Sequence, residues 1–159
     1  MTPSRHAATN LLRPEVLPRQ AMPYIEVILV LLLILLNGLL AMSELAIASS
    51  RAVKLRAMVE RNVNGARRAL ILASNPGRFL STVQIGITLI GILAGAFSGA
   101  TLGGRVSDWF IILGVRENVA EPLGFGLVIG LITYLSLIIG ELVPKQIALR
   151  NPERIACLV

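Results

Sequence analysis

Apolar residues along this chain gather into three long runs, and the charged residues collect between them. The first run covers positions 27–43, meets Glu44, and continues to Ser50. The second, 79–104, holds 26 residues without a charge, and the third, 122–140, holds 19. A membrane-crossing helix needs about 20 predominantly apolar residues. The pattern therefore predicts an all-α membrane protein with three transmembrane helices, over about 25–48, 79–104 and 122–143. Ala46-Ile47-Ala48 resembles a signal-peptide cleavage site, but the run is longer than the roughly 7–15 residues of a signal core. The first span is thus read as retained.

The intervening segments carry their own signals. Residues 1–23 hold Arg5, Arg13, Arg19, His6 and four prolines without periodicity, and read as a disordered tail ahead of a transmembrane domain at 24–159. Over 51–72, Leu55, Met58, Val59, Ala66, Ala69 and Leu70 share one side of a helix, while Lys54, Arg61 and Arg68 recur on another. This predicts a juxtamembrane amphipathic helix bent at Asn64-Gly65. Either it lies in the interface with its basic face toward lipid phosphates, or it is a solvated connector. Ser74-Asn75-Pro76-Gly77 separates it from the second span, with proline where a first helical turn tolerates a missing N–H. Residues 105–121 read as a polar loop, and a further apolar helix begins after Asn151-Pro152.

Composition agrees with a membrane setting. Of 159 residues 55% are hydrophobic and 15% charged, where a soluble domain carries about 25% charged; mean hydropathy is +0.76. The net charge of +6 lies between apolar runs, and only 4% of residues are aromatic. That is not the basic, aromatic surface of a nucleic-acid binder. Cys157, the single cysteine, leaves no intrachain disulfide, and His6, the single histidine, excludes a histidine cluster. Intramembrane hydrolysis is disfavoured, because the spans hold no histidine to activate a nucleophile.

Charge asymmetry sets an orientation. Positions 51–78 carry seven basic residues and one acid, Glu60, while 105–121 carry Arg105 and Arg116 against Asp108, Glu117 and Glu121. By the positive-inside rule the first segment is cytoplasmic, which places the N-terminus outside and the C-terminus inside.

Each span also carries a stripe of small or polar residues at helical spacing: Asn37, Ser43 and Glu44; Ser81, Gln84, Thr88, Gly91, Gly95 and Ser98; Gly126, Gly130, Thr133, Gly140 and Glu141. Small-xxx-small spacing lets helix backbones approach, which accounts for the glycines but not for Glu44 and Glu141. Carboxylates inside apolar segments usually mark ion or proton paths. Pro144 has no N–H and clashes with the carbonyl of Gly140, which predicts a broken third helix. Asn37-Gly38 predicts the same for the first. Carboxylate, hydroxyl and freed carbonyl oxygens form a hard site suited to Mg²⁺, Ca²⁺ or Na⁺. The competing reading is structural: Glu141 paired with Lys145, and Glu44 with a basic residue such as Arg51.

Three segments carry a family resemblance. Asn37-Gly38 with 41–46 (AMSELA) and Ser49-Ser50-Arg51 resembles the first helix of the CorC/HlyC and cyclin-M family of divalent-cation transporters. The segment 84–89 (QIGITL) resembles the second helix, and 140–145 (GELVPK) with Asn151-Pro152-Glu153 resembles the third helix and its exit. The resemblance implies a homodimer in the plasma or inner membrane that exports Mg²⁺, driven by inward Na⁺, through an inward-facing polar cavity. Carried over by motif, Ser43, Ser49, Gly86, Gly140 and Glu141 would hold Mg²⁺. The polar and small residues of the spans add Asn37, Glu44, Gln84, Thr88 and Gly91 as further cavity-lining candidates, and Pro144 is the helix breaker. Many relatives carry asparagines at the positions of Ile87 and Gly91, so the ligand set here differs. The resemblance also implies a cytoplasmic CBS-pair domain in full-length relatives, to which nothing in this chain corresponds. The alternative function is a cation-sensing or anchoring membrane module without transport.

Overall fold

The computed structural model describes residues 23–159, all of whose regular elements are helical. The tail predicted for 1–23 lies outside the described residues apart from Pro23, which opens the first helix. The elements are α1 (Pro23–Ser49), α2 (Ala52–Glu60), α3 (Ala66–Ser74), α4 (Gly77–Ser98), α5 (Gly104–Ile112), α6 (Glu117–Leu137), α7 (Val143–Arg150) and α8 (Pro152–Leu158). A π-helical turn at Gly99–Gly103 joins α4 to α5, and a second at Ile138–Leu142 joins α6 to α7. Three continuous helices result: Tyr24–Ser49, Gly77–Ile112 and Glu117–Arg150, with mean hydropathies of 2.7, 1.9 and 2.2 over their most apolar windows. Each is long and apolar enough to cross a membrane.

The first of these is not broken. α1 runs through Asn37-Gly38 without interruption for 27 residues. One glycine costs a helix about 1 kcal/mol relative to alanine. An opened backbone hydrogen bond in lipid costs several, so the helix closes over its glycine. Irregularity appears instead in the π turns. The third helix widens at Ile138–Leu142 just ahead of Pro144, where Val143 N–H bonds back to Ile138 O five residues earlier. A helix that takes in an extra residue relieves the proline without stopping.

The predicted juxtamembrane helix is two helices, and the break precedes the expected bend. Asn62 (φ 53°) is left-handed, its N–H bonds Val59 O at 3.0 Å, and Val63 N–H bonds Met58 O at 3.0 Å. This paired closure ends α2 as a Schellman turn, a left-handed conformation that asparagine tolerates better than most residues. Gly65 (φ 80°) then starts α3.

The segment read as a polar loop is mostly helix too. α5 and α6 extend the second and third spans, and only 113–116 turns, closed on left-handed Gly114 (φ 90°). At about 1.5 Å per residue, helices of 36 and 34 residues outrun the roughly 30 Å hydrocarbon layer. Their ends stay helical because α5 packs on α6.

The best-buried apolar cluster lies at the basic end. There Ala46 and Ile47 of α1 meet Leu55, Ala69, Ala148 and Ala156 from α2, α3, α7 and α8. Small side chains let five helices converge. Glu153, on α8, is buried beneath this junction and accepts from the Arg51 backbone N–H and from Lys54 Nζ, both at 3.4 Å. Along the spans, by contrast, Leu32, Leu35, Ile85, Ile92, Leu127 and Leu131 are exposed. An apolar surface of this extent requires lipid or another protein surface against it.

Candidate cation site

Asn37 of α1 faces the second π turn. Pro144 offers no N–H to the preceding turn, and the carbonyl four residues earlier, Gly140, accepts instead from Asn37 Nδ2 at 3.1 Å. The contact is close because both glycines lack side chains. A Cβ on Gly38 would stand 3.0 Å from Pro144 Cγ, and one on Gly140 would stand 3.1 Å from Ile34 O and 3.2 Å from Asn37 Nδ2. Asn37-Gly38 thus acts as a docking pair for the π turn. Asn37 Oδ1 remains buried without a hydrogen-bond partner.

Beside this joint lies a cavity of about 210 Å³ lined by residues of α1, α4, α6 and the π turn. Asn37, Thr133, Ser136 and Glu141 supply its oxygens, and Gly91 and Gly95 lie on the α4 wall. Ile87 lines it as well, so both positions expected to replace asparagines face this space. Ser136 was not singled out from sequence. Its signal is its place in the third stripe, three residues after Thr133 and four before Gly140.

Two carboxylates meet one ammonium here. Lys145 Nζ is 2.7 Å from Glu141 Oε1 and 3.7 Å from Glu44 Oε2. The first contact is the ion pair expected from the i,i+4 spacing. The second gives Glu44 a cation from α7 in place of one from the segment that follows α1, such as Arg51. Glu44 Oε2 is buried without a hydrogen bond.

Other candidates lie elsewhere. Ser43 is buried and its hydroxyl donates to Leu40 O at 2.7 Å in its own helix. Gly86 faces Leu40, since a Cβ there would meet Leu40 Cδ1 at 3.1 Å. Ser49 is the last residue of α1. Gln84 and Thr88 are exposed and line a separate groove on α4 with Ser81, Ile85, Leu89 and Ile92. Of the five residues carried over as ligands, Glu141 lines the cavity and Gly140 adjoins it. Among the described residues, no three His, Cys, Asp or Glu side chains converge to hold a metal. A cation here would depend on hydroxyl, amide and carbonyl oxygens around one carboxylate.

The glycine stripes also divide. A Cβ at Gly91, Gly95, Gly126 or Gly130 would meet no atom within 4 Å. These positions border the cavity or the open surface and do not mediate close packing within the chain. The tight crossing is Gly124, where a Cβ would stand 2.6 Å from Ser107 N and 2.8 Å from Gly103 O.

At the far end of the bundle, Arg105 bridges Glu26 at 3.1 Å. The cavity beside it, about 650 Å³, also borders Asp108, Glu117 and Glu121.

Three long apolar helices around an oxygen-lined cavity define a polytopic helical membrane domain. Residues 28–159 match the family model described as the cyclin M transmembrane N-terminal domain, and the chain belongs to that family. It is 49% identical over 133 residues to the UPF0053 protein sll0260 of Synechocystis, covering 84% of this chain and 30% of that protein. It is 32% identical over 131 residues to the polyamine export protein of Escherichia coli K12, covering 82% of this chain and 29% of that one. A Bacillus subtilis relative, UPF0053 protein YhdT, is 29% identical over 137 residues. The chain thus spans under a third of the length of these curated relatives.

Proposed function

We propose that this domain exports Mg²⁺ through the polar cavity, driven by inward Na⁺, and that it works as a homodimer. The observation that carries the reading is Glu141, an acid on a π-helical turn inside an apolar span, opening onto a cavity with Asn37, Thr133 and Ser136. An ionisable residue at membrane depth is costly and is retained where ions or protons pass. The basic segment 51–78 faces the cytoplasm and draws anionic lipid, which sets the N-terminus outside and the C-terminus inside. A second copy covers part of the exposed apolar surface. The reading is transport and not catalysis.

A second reading has its own support. An alkyl ammonium already sits between Glu44 and Glu141, at 3.7 and 2.7 Å, and several relatives bear the name polyamine export protein. A polyamine would present the same group to the same carboxylates.

The experiment is ion flux in proteoliposomes, with Mg²⁺ and spermidine as separate cargoes and with or without a Na⁺ gradient. Na⁺-dependent Mg²⁺ efflux supports the first reading, and spermidine efflux without Mg²⁺ flux supports the second. A cation-induced structural change without flux of either favours the sensing or anchoring module.

A further inference from the structure

Lys145 is one of two lysines in the chain. It is the residue that joins Glu44 of α1 to Glu141 of the π turn, two carboxylates brought together only by the fold. The partnership is uneven. At 2.7 Å the ammonium hydrogen-bonds Glu141, while at 3.7 Å it balances the charge of Glu44 without a hydrogen bond, and Glu44 Oε2 is left unpartnered. The lysine side chain keeps 30% of its surface exposed, so it has space to leave.

We propose that Lys145 is a tethered counter-cation, which occupies the carboxylate pair when no cargo is bound and is displaced when a cargo cation arrives. The inference rests on the reading of Glu141 as a cargo ligand. Two carboxylates on neighbouring apolar spans, both within reach of Lys145, are unstable without a positive charge, and the lysine supplies one in the empty state. Its ammonium is a compact point charge on a flexible stem, suited to swinging away. The displaced charge also selects. A monovalent ion offers Glu141 no more charge than the ammonium already there, whereas a dication offers twice as much. Lys145 thus sets a threshold that favours multiply charged cargo over the monovalent ions abundant on both sides of a membrane.

The unmodified protein tests this directly, because Lys54, outside the spans, serves as an internal reference. Detergent-purified protein is treated with an amine-acylating reagent with and without Mg²⁺, and modification of each lysine is counted by peptide mass spectrometry. The expected result is a severalfold rise at Lys145 with Mg²⁺ and none at Lys54. In parallel, Lys145→Met is expected to bind Mg²⁺ at least tenfold more tightly by calorimetry, and to lose discrimination against K⁺. Mg²⁺ binding with unchanged Lys145 labelling, or a Lys145→Met variant that binds no better than the parent, overturns the counter-cation role alone. No Mg²⁺ binding by either protein overturns the role of Glu141 as a Mg²⁺ ligand and this inference with it. The labelling arm remains decisive even where the variant does not fold.

Discussion

The side-chain amide of Asn37 donates to the carbonyl of Gly140 at 3.1 Å, across 103 positions of sequence. That carbonyl is the one an N–H at position 144 would serve in a regular helix, and Pro144 has none. One side chain on the first span thereby compensates for a proline in the third, and the repair stands at the rim of the polar cavity.

The compensation can be measured as a coupling. Asn37→Ala is expected to destabilise the detergent-purified protein by about 1–3 kcal/mol, the cost of an unserved buried acceptor. In a Pro144→Ala background, where the backbone N–H returns, the same substitution costs less. Equal losses in the two backgrounds, read by denaturation midpoints in a double-mutant cycle, would show that the amide serves some other group.

Glu141→Gln keeps the shape of the π turn while removing its charge. With the parent, saturating Mg²⁺ is expected to raise the melting temperature, because a ligand at a hundredfold excess over Kd adds about 2.7 kcal/mol. The variant remains folded and gains nothing from Mg²⁺. A variant that still responds as the parent does would remove Glu141 from the site.

Helix packing makes a prediction that reverses the sequence-based one. The stripe of glycines predicts that Gly95→Leu disrupts packing, yet a Cβ at Gly95 meets open space on the cavity wall. Gly95→Leu is therefore expected to leave the melting temperature near the parent's and to abolish the Mg²⁺-dependent gain by filling the cavity. Gly124→Ala, pressed against Ser107 and Gly103 O, costs about 1–3 kcal/mol. The ordering of these two melting temperatures is the check.

Glu153 predicts an acid limit. Burial pushes its carboxyl up, but its own backbone N–H, that of Arg51 and the Lys54 ammonium together hold it below the usual carboxylate range. An acid lowered by folding contributes stability above its unfolded pKa, near 4.3, and loses it as pH falls through the lower folded value. Glu153→Gln should thus be less stable than the parent at pH 7, with the gap closing progressively below about pH 4. Parallel stability curves across that range would exclude the linkage.

Much of this molecule was local and therefore legible in its sequence. Uncharged stretches of 26 and 19 residues cross a membrane because backbone groups in lipid must bond within their own segment. Length and charge content alone announce such helices. The basic band at 51–78, the Glu141–Lys145 spacing and the disturbance at Pro144 are likewise properties of short segments. Tertiary structure decided what depends on a neighbour. Asn37-Gly38 reads as a weak point in α1, but it is where the π turn docks. Glu44 could pair with any nearby cation, and the fold turns it to Lys145 while Lys54 pairs with Glu153. Glycine spacing marks where helices could approach, but packing chose Gly124 for the tight crossing and left Gly91 and Gly95 beside a void. Helix formation in the membrane is a contract each segment makes with its own backbone, whereas the partner of a side chain is set by which helix stands opposite, information that no single segment contains.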